Sequence, residues 1–257
     1  MHAPYIDRPI VPRQDIRDGG AIKDLLRVAR REFRCLSGKD IHVRTSSVGE
    51  RQRLGSSYGG WTVLPAFLNA ESIVYGAGVG DDISWDLSMI DRFGCTIHAF
   101  DPTPRCLRWV SSQVLPAKFQ FHPVGLASED GQSTFVMRND HPDWSSYNMS
   151  DDIEGAVEIE TLEVRRVATL MAQFGHEHID LLKMDIETAE YTVIPDLLGS
   201  GIIPSQLCIE FHFGGVDGGT VQAFKSAIST LSDAGYIAFD RSPYGRELSF
   251  VHRSMLA

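Results

Sequence analysis

The sequence has no long hydrophobic run and no excess of basic residues. No stretch of its 257 residues approaches the roughly 20 apolar residues of a membrane-spanning helix. The segment Met1 to Asp15 also lacks the charged-then-apolar order of a secretory signal. Lys and Arg number 24 against 34 Asp and Glu, a formal charge of −10, which disfavours binding to nucleic acid or an anionic membrane. These absences predict a cytoplasmic protein without a membrane or nucleic-acid partner.

Cysteine is scarce as well. Cys35, Cys95, Cys106 and Cys208 are widely spaced and form no C-x-x-C pair, which disfavours a zinc site or a disulfide framework. Cys95 and Cys208 lie in apolar runs with the character of strands. We therefore expect buried free thiols in a reducing compartment.

From about Glu71 the sequence alternates between short apolar runs and segments with helical spacing. The runs that predict strands are "SIVYGAG", "CTIHAFD", "KFQFHPVGLA", "QSTFVMR", "IDLLKMDIE" and "SQLCIEFHF". The segments that predict helices are "DDISWDLSMIDRFG", "PTPRCLRWVSSQV", "AEYTVIPDLL" and "TVQAFKSAISTLSDAG". The last part, "YIAFDRSPYGRELSFVHR", predicts a hairpin. This order predicts a doubly wound α/β domain whose sheet is mainly parallel, with an antiparallel edge.

The first 57 residues differ in character from the rest. We therefore assign residues 1–57 to an N-terminal helical extension and loop, and residues 58–257 to the main domain. Apolar residues recur there at helical spacing among basic ones: Ile22, Leu25, Leu26, Ala29 and Phe33. We expect an amphipathic helix laid over the main domain, with its basic residues in solvent. A homodimer contact or a lid over an anionic substrate stays open.

Three glycines at alternate positions follow the first of the strands in this alternating part of the chain. Gly76, Gly78 and Gly80 permit a tight turn and let a ligand approach bare backbone. A dinucleotide-binding loop needs a further glycine where this chain has Asp81, and Asp82 follows it. Two carboxylates would repel a pyrophosphate, whereas they would complement the ammonium and sulfonium groups of S-adenosylmethionine. A plain strand–helix turn, with Asp81 or Asp82 as the helix N-cap, is the alternative.

Asp101 ends the next predicted strand. A carboxylate at this point can accept hydrogen bonds from both hydroxyls of a ribose. NAD and S-adenosylmethionine share that ribose, so Asp101 supports a nucleoside cofactor without separating the two. An NAD(P)-dependent oxidoreductase and a non-catalytic binding protein on the same fold remain the alternatives, although the sequence shows no obvious Tyr-x-x-x-Lys for hydride transfer.

Acidic residues and a histidine follow two later strands. Asp185 and Glu187, two apart in a segment taken as extended, project to the same side, and Glu210 and His212 repeat the arrangement. Ligand sites in parallel sheets lie beyond the carboxyl ends of the strands. We predict that Asp185, Glu210 or His212 removes the proton of an alcohol acceptor, or that Asp185 and Glu210 hold a divalent ion. Glu187 is a candidate substrate contact, and Asp185 could instead serve only the amine of the cofactor.

Two aromatic-rich loops are candidates for the acceptor pocket. They are "SSYGGW" (Ser56–Trp61) and "NDHPDWSSYNM" (Asn139–Met149). Trp61, Trp144 and Tyr147 could stack on a sugar or an apolar ring, or they could anchor their loops to the core. The length of the second loop is typical of a binding loop.

Several of these segments together resemble one family. In order, "VYGAGVGDDISWDLSMIDRFGCTIHAFDPTP", "FHPVGLASEDG", "DLLKMDIETAEYTVI" and "CIEFHF" are similar to the FkbM-type methyltransferases, a branch of the class I S-adenosylmethionine-dependent enzymes. The resemblance covers about Tyr58 to Tyr236. It implies a Rossmann-like sheet of seven mainly parallel strands ending in an antiparallel hairpin. It also implies O-methylation of a hydroxyl on a sugar, a glycan or a polyketide-like small molecule.

The resemblance assigns roles to individual positions. The glycine loop, residues 76–82, is expected to line the methionine half of S-adenosylmethionine, Asp101 to hold the ribose, and residues 123–126 to lie near the adenine. The cofactor-binding residues are then Gly76, Ala77, Gly78, Gly80, Asp81, Asp82, Asp101, Pro102, Val124, Gly125 and Asp185. Related sugar methyltransferases with carboxylates at the same two strand ends use Mg²⁺, which implies Asp185 and Glu210 as its ligands. Thr188 departs from the family, which usually has glycine there.

Overall fold

A computed structural model describes residues 21–137, 147–150, 152–214 and 219–256 of the chain. Its strands are β1 (Gln52–Leu54), β2 (Trp61–Val63), β3 (Ile73–Ala77), β4 (Thr96–Phe100), β5 (Phe119–His122), β6 (Gly125–Leu126), β7 (Gly131–Met137), β8 (Tyr147–Met149), β9 (Glu158–Arg165), β10 (Leu181–Met184), β11 (Gln206–Glu210), β12 (Tyr236–Arg241) and β13 (Glu247–His252). Its α-helices are α1 (Ala21–Leu36), α2 (Ser84–Phe93), α3 (Pro104–Ser111), α4 (Val167–Phe174), α5 (Glu190–Gly199) and α6 (Val221–Asp233).

The central sheet has seven strands in the order β12-β13-β11-β10-β3-β4-β5. Strands β11, β10, β3, β4 and β5 run parallel to one another, whereas β13 is antiparallel to both of its neighbours. The prediction of a mainly parallel sheet is therefore confirmed. From β3 the chain first proceeds outward to β4 and β5, and later returns to β10 on the other side of β3. This reversal places the switch point, where such sheets bind ligands, between β3 and β10.

Helices cover both faces of this sheet. Tyr75 and Leu182 belong to a hydrophobic cluster with residues of α4, α5 and α6, whereas their strand neighbours Val74 and Leu181 pack with residues of α2 and α3. Successive side chains of a strand point to opposite faces, so the two clusters lie on opposite sides of the sheet. Burial on both faces is why these strands are near-continuous apolar runs and why a doubly wound fold could be predicted.

A second sheet, absent from the sequence-based expectations, lies in the chain between β5 and α4. Its four strands have the order β6-β9-β7-β8. Strand β9, "EIETLEVR", alternates apolar and charged residues and stays largely exposed. Such a strand has no apolar run, and the sequence analysis overlooked it for that reason.

The N-terminal helix exists as predicted, but the predicted orientation is wrong. Leu25 and Phe33 of the apolar face are 70% and 72% exposed, whereas Arg31 is only 6% exposed. The aliphatic stem of Arg31 packs against the turn between β12 and β13, where a Cβ on Gly245 would lie 2.6 Å from its Cδ atom. Long basic side chains can bury their stems in this way. Helical spacing locates an apolar stripe without showing which face packs on the domain.

Three further observations concern the cysteines, the predicted domain boundary and the membrane. All four cysteines are free, and all but Cys35 are buried, which confirms the expectation of buried free thiols. Strand β1 pairs with β2, so a hydrogen-bonded pair spans the boundary predicted after residue 57. Within the described ranges, no helix has both the length and the apolar character needed to cross a bilayer.

Candidate functional site

The glycine loop joins β3 to α2 at the switch point of the sheet. Gly78 has a φ of 77°, and a Cβ there would lie 1.7 Å from the carbonyl oxygen of Asp185. Glycine is thus required where the loop touches the end of β10. Gly80 has a φ of 58°, and nothing lies within 4 Å of the position of a Cβ. One glycine therefore packs the loop against β10, while the other leaves open space above its backbone.

Asp101 ties this loop to the end of β4. One of its carboxylate oxygens accepts hydrogen bonds from the backbone N–H groups of Val79 and Gly80 at 3.1 and 3.0 Å. The other accepts from the N–H and the hydroxyl of Thr103 at 2.9 and 2.6 Å. A carboxylate has about four acceptor positions, and protein donors occupy all of them. Ribose binding by Asp101 therefore stays a prediction, one that requires these bonds to be shared or exchanged.

The two acidic residues of the loop have different surroundings. Asp82 accepts hydrogen bonds from the Ser56 hydroxyl at 2.7 Å and from the Ser84 N–H, in the first turn of α2, at 2.8 Å. Burial alone would raise the pKa of Asp82, but the hydrogen bonds outweigh it and lower that pKa below its usual value. Asp81 is exposed and lies 3.8 Å from Arg105. Asp82 thus holds the start of α2, and Asp81 faces solvent beside the loop.

Two buried charged residues, Lys183 and Asp86, lie against the glycine loop on its protein side. The sequence analysis missed both. Lys183 of β10 donates a hydrogen bond to the carbonyl oxygen of Gly78 at 2.6 Å. Asp86 of α2 lies on the same side, where a Cβ on Gly76 would approach its carboxylate to 3.1 Å. Burial raises the pKa of Asp86 to about 6, and Lys183 acts in the opposite direction. The available signal was a lysine inside the apolar strand "LLKM", since a buried lysine needs a partner.

Four side chains meet where β10 and β11 end. We name Asp185, Glu187, Glu210 and His212 the strand-end cluster. The Nε2 atom of His212 lies 3.4 Å from Glu187, 3.7 Å from Asp185 and 4.0 Å from Glu210. The histidine is almost fully buried, whereas the three carboxylates remain partly accessible. The structure thus brings together all four residues that the sequence placed at these strand ends.

A fifth side chain, Glu190, lies behind the histidine. It is fully buried and accepts a hydrogen bond from the backbone N–H of His212 at 2.8 Å, and its carboxylate lies 3.4 Å from Nδ1 of the ring. Burial alone would lower the pKa of His212, but Glu190, Glu187 and Asp185 raise it to about 10. Burial and the charge of Asp185 raise the pKa of Glu210 to about 8. These carboxylates therefore favour the imidazolium form of His212.

Glu187 reaches the cluster by a route that the sequence analysis did not foresee. The sequence predicts that Glu187 alternates with Asp185 along an extended segment, but β10 ends at Met184. Glu187 and Thr188 instead adopt φ angles of 50° and 82°, a left-handed region that is rare for residues other than glycine. The prediction of an extended segment was therefore wrong, because a turn, not strand alternation, directs Glu187 toward His212.

The remaining predicted residues lie apart from this cluster or in the core. Trp61 is 4% exposed and packs in a hydrophobic cluster with residues of α2 and α3, which favours the alternative that it anchors its loop to the core. Tyr147 of β8 packs against the second sheet, and Trp144 lies outside the described residues. Val124 and Gly125 are buried, and a Cβ on Gly125 would lie 3.1 Å from Pro102. The predicted adenine segment therefore borders Pro102, and its role in binding the cofactor stays a prediction.

A family model described as "Methyltransferase FkbM domain" matches residues 75–238. The chain belongs to the FkbM methyltransferase family. The matched residues contain the glycine loop, Asp101 and the strand-end cluster, so the family resemblance found in the sequence is confirmed. The chain therefore carries a methyltransferase domain.

Two curated relatives are similar to part of this chain. "Probable methyltransferase-like protein 24" of Homo sapiens is 24% identical over 181 residues, which cover 66% of this chain and 43% of the relative. The protein of the same name from Rattus norvegicus is 28% identical over 142 residues, which cover 54% of this chain and 32% of the relative. The chain thus spans less than half the length of these relatives.

Among solved structures, the chain is similar to two fibrillarins. Aeropyrum pernix fibrillarin, described in complex with natively bound S-adenosyl-L-methionine, aligns with a TM-score of 0.40 and 13% identity over 81% of this chain and 84% of that one. The Methanococcus jannaschii fibrillarin pre-rRNA processing protein aligns with a TM-score of 0.41 and 12% identity, over 82% of this chain and 86% of that one. Scores this low do not establish a shared fold.

Proposed function

We propose that this FkbM-family methyltransferase transfers the methyl group of S-adenosylmethionine to a hydroxyl of a sugar, a glycan or a polyketide-like small molecule. The observation that carries the proposal is the contact between Gly78 and the backbone of Asp185. Through this contact, the loop proposed for the cofactor and the carboxylates proposed for the acceptor share one edge of the sheet. Cofactor and acceptor must meet at such a point for an in-line transfer.

The residues around the loop fit S-adenosylmethionine better than a dinucleotide. The open face of Gly80 gives the ligand access to bare backbone. Asp81, exposed beside that face and 3.8 Å from Arg105, would complement the ammonium group of the methionine part. Lys183 contributes no charge at the surface, because it is buried against the carbonyl oxygen of Gly78.

The transfer needs a group that accepts the proton of the hydroxyl. Bound S-adenosylmethionine would supply the methyl group and leave as S-adenosylhomocysteine, and a carboxylate of the chain would take up the proton of the attacking hydroxyl. Asp185 is best placed for this role, because its backbone touches the glycine loop and its side chain is 34% exposed. His212 is less suited, since its neighbouring carboxylates keep it protonated at neutral pH.

Calorimetry with S-adenosylmethionine, S-adenosylhomocysteine and NAD tests the cofactor. We expect the first two to bind and NAD to fail, and selective binding of NAD would instead support an oxidoreductase. Transfer of a labelled methyl group to a panel of sugars, glycans and macrolide-like alcohols then tests the reaction. Cofactor binding without transfer to any acceptor would support a non-catalytic binding protein.

Asp185→Asn tests the proposed base. A positioned general base contributes roughly 100-fold to 10,000-fold, so we expect kcat for the acceptor identified by the screen to fall at least 100-fold. Asp233→Asn is the matched control. Asp233 precedes β12, at the opposite edge of the sheet. An equal effect of the two substitutions would exclude Asp185 from the reaction.

A further inference from the structure

The central member of the strand-end cluster has the geometry of a metal ligand. The Nε2 atom of His212 faces Glu187 and Asp185, and one ligand atom from each of the three residues lies within 4.8 Å of the others. Two atoms that each bind one ion at about 2.1 Å lie at most about 4.2 Å apart. The two distances from Nε2, 3.4 and 3.7 Å, already meet this limit. Small rotations of two partly exposed carboxylates would complete the set.

The surroundings of the imidazole supply a second, independent observation. His212 is 6% exposed, and both its Nδ1 atom and the Oε2 atom of Glu190 are buried without a hydrogen-bond partner. A histidine that binds a metal through one ring nitrogen usually directs the other nitrogen at a carboxylate. A neutral His212 with an ion on Nε2 would carry its proton on Nδ1, which is the atom that faces Glu190.

The backbone around Glu187 supplies a third observation. Glu187 and Thr188 hold left-handed φ angles without being glycine, and strained backbone of this kind persists where the surrounding structure enforces it. The turn directs Glu187 at His212 across 3.4 Å. The chain thus keeps an unfavourable conformation at the residue that supplies the third ligand atom.

We propose that Asp185, Glu187 and His212 bind one divalent transition-metal ion. One imidazole and two carboxylates suit Mn²⁺, Fe²⁺ or Zn²⁺, whereas Mg²⁺ prefers oxygen ligands alone. The site therefore differs from the sequence-based expectation of Mg²⁺ held by Asp185 and Glu210. The catalytic purpose of the ion rests on the proposed function: it would polarise the acceptor hydroxyl beside the cofactor.

Titration of the metal-free protein with Mn²⁺ tests the site, with free Mn²⁺ followed by electron paramagnetic resonance. We expect one Mn²⁺ per chain, displaced by Zn²⁺ but not by an equal concentration of Mg²⁺. Glu187→Gln is expected to weaken Mn²⁺ binding at least tenfold, and Asp233→Asn to leave it unchanged. Glu190→Gln is expected to weaken it between 10-fold and 100-fold, roughly the effect of losing the partner of a metal-bound histidine.

A dissociation constant for Mn²⁺ above about 1 mM would overturn the proposal, and so would equal affinity in the wild type and Glu187→Gln. Because His212→Gln alters a buried residue and could prevent folding, Glu187→Gln, at a partly exposed position, decides the matter. Metal binding is measured without any acceptor. Mn²⁺ binding without methyl transfer would therefore count against the proposed function alone, and transfer that survives with no metal bound would count against the catalytic purpose of the ion and leave the binding site intact.

Discussion

Thr188→Gly is expected to stabilise the protein. Thr188 holds a φ of 82°, and a left-handed conformation costs a residue with a Cβ roughly 1–2 kcal/mol. Glycine adopts this conformation freely but loses more backbone entropy on folding, which costs roughly 0.5–1 kcal/mol. The midpoints of the two ranges leave a net gain of about 0.75 kcal/mol. For a chain of this size it corresponds to a rise in melting temperature of roughly 1.5–3 °C.

Urea denaturation measures this gain, with Thr188→Ala as the control. Alanine removes the β-branch and the hydroxyl but keeps the Cβ atom that makes the left-handed region unfavourable, so it is expected to change stability by less than about 0.5 kcal/mol. The explanation by backbone strain would be refuted if glycine gave no more stability than alanine. If the strain also directs Glu187 toward His212, the glycine variant gains stability while its affinity for Mn²⁺ falls.

Two further predictions concern the loop and the buried histidines. Gly78→Ala is expected to destabilise the protein by roughly 3 kcal/mol or more, because its Cβ would overlap the carbonyl oxygen of Asp185. Gly80→Ala is the control and is expected to cost only about 1 kcal/mol, because the position of its Cβ is open. Similar urea midpoints for the two variants would contradict the packing assigned to Gly78. Burial lowers the pKa of His98 to about 4, below that of the unfolded chain, so stability is expected to fall as the pH drops from about 6.5 toward 4, by about 1.4 kcal/mol per pH unit at most. Urea midpoints across that range should fall less steeply for His98→Phe than for the wild type, and identical slopes would exclude His98 as the cause.

The architecture could be predicted because burial leaves a strong trace in the sequence. The central parallel strands β3, β10 and β11 are largely apolar along their length, since helices cover both faces of the sheet there. Gly94 ends α2 in the left-handed conformation expected of a helix C-cap. The second sheet left a weaker trace, because β9 has one face in solvent and carries charges along it. The packing of α1 left none, because the stem of an arginine can be buried while leucines stay exposed.

Some residues of the candidate site could likewise be predicted from the sequence, whereas others depend on tertiary contacts. The sequence placed Asp185, Glu210 and His212 correctly at one edge, since the carboxyl ends of neighbouring parallel strands must meet there. It could not show that Glu187 arrives through a left-handed turn, because only the surrounding structure makes that conformation tolerable for glutamate and threonine. Glu190 was equally hidden, since an acidic residue in the first turn of a helix is ordinary and its burial behind His212 is a tertiary contact.

Asp101 shows how one residue can satisfy two patterns at once. Its position at the end of β4 is the one expected for a ribose ligand, yet its carboxylate accepts four hydrogen bonds from the loop and from Thr103. Two of these come from the N–H groups of Val79 and Gly80, so Asp101 also holds the backbone on which the cofactor is proposed to rest. A ribose that took over one carboxylate oxygen would compete with those donors, and binding would then loosen or reshape the loop. Asp101→Asn is therefore expected to weaken cofactor binding and to lower stability together, whereas a residue that only contacts the ribose would change the affinity alone.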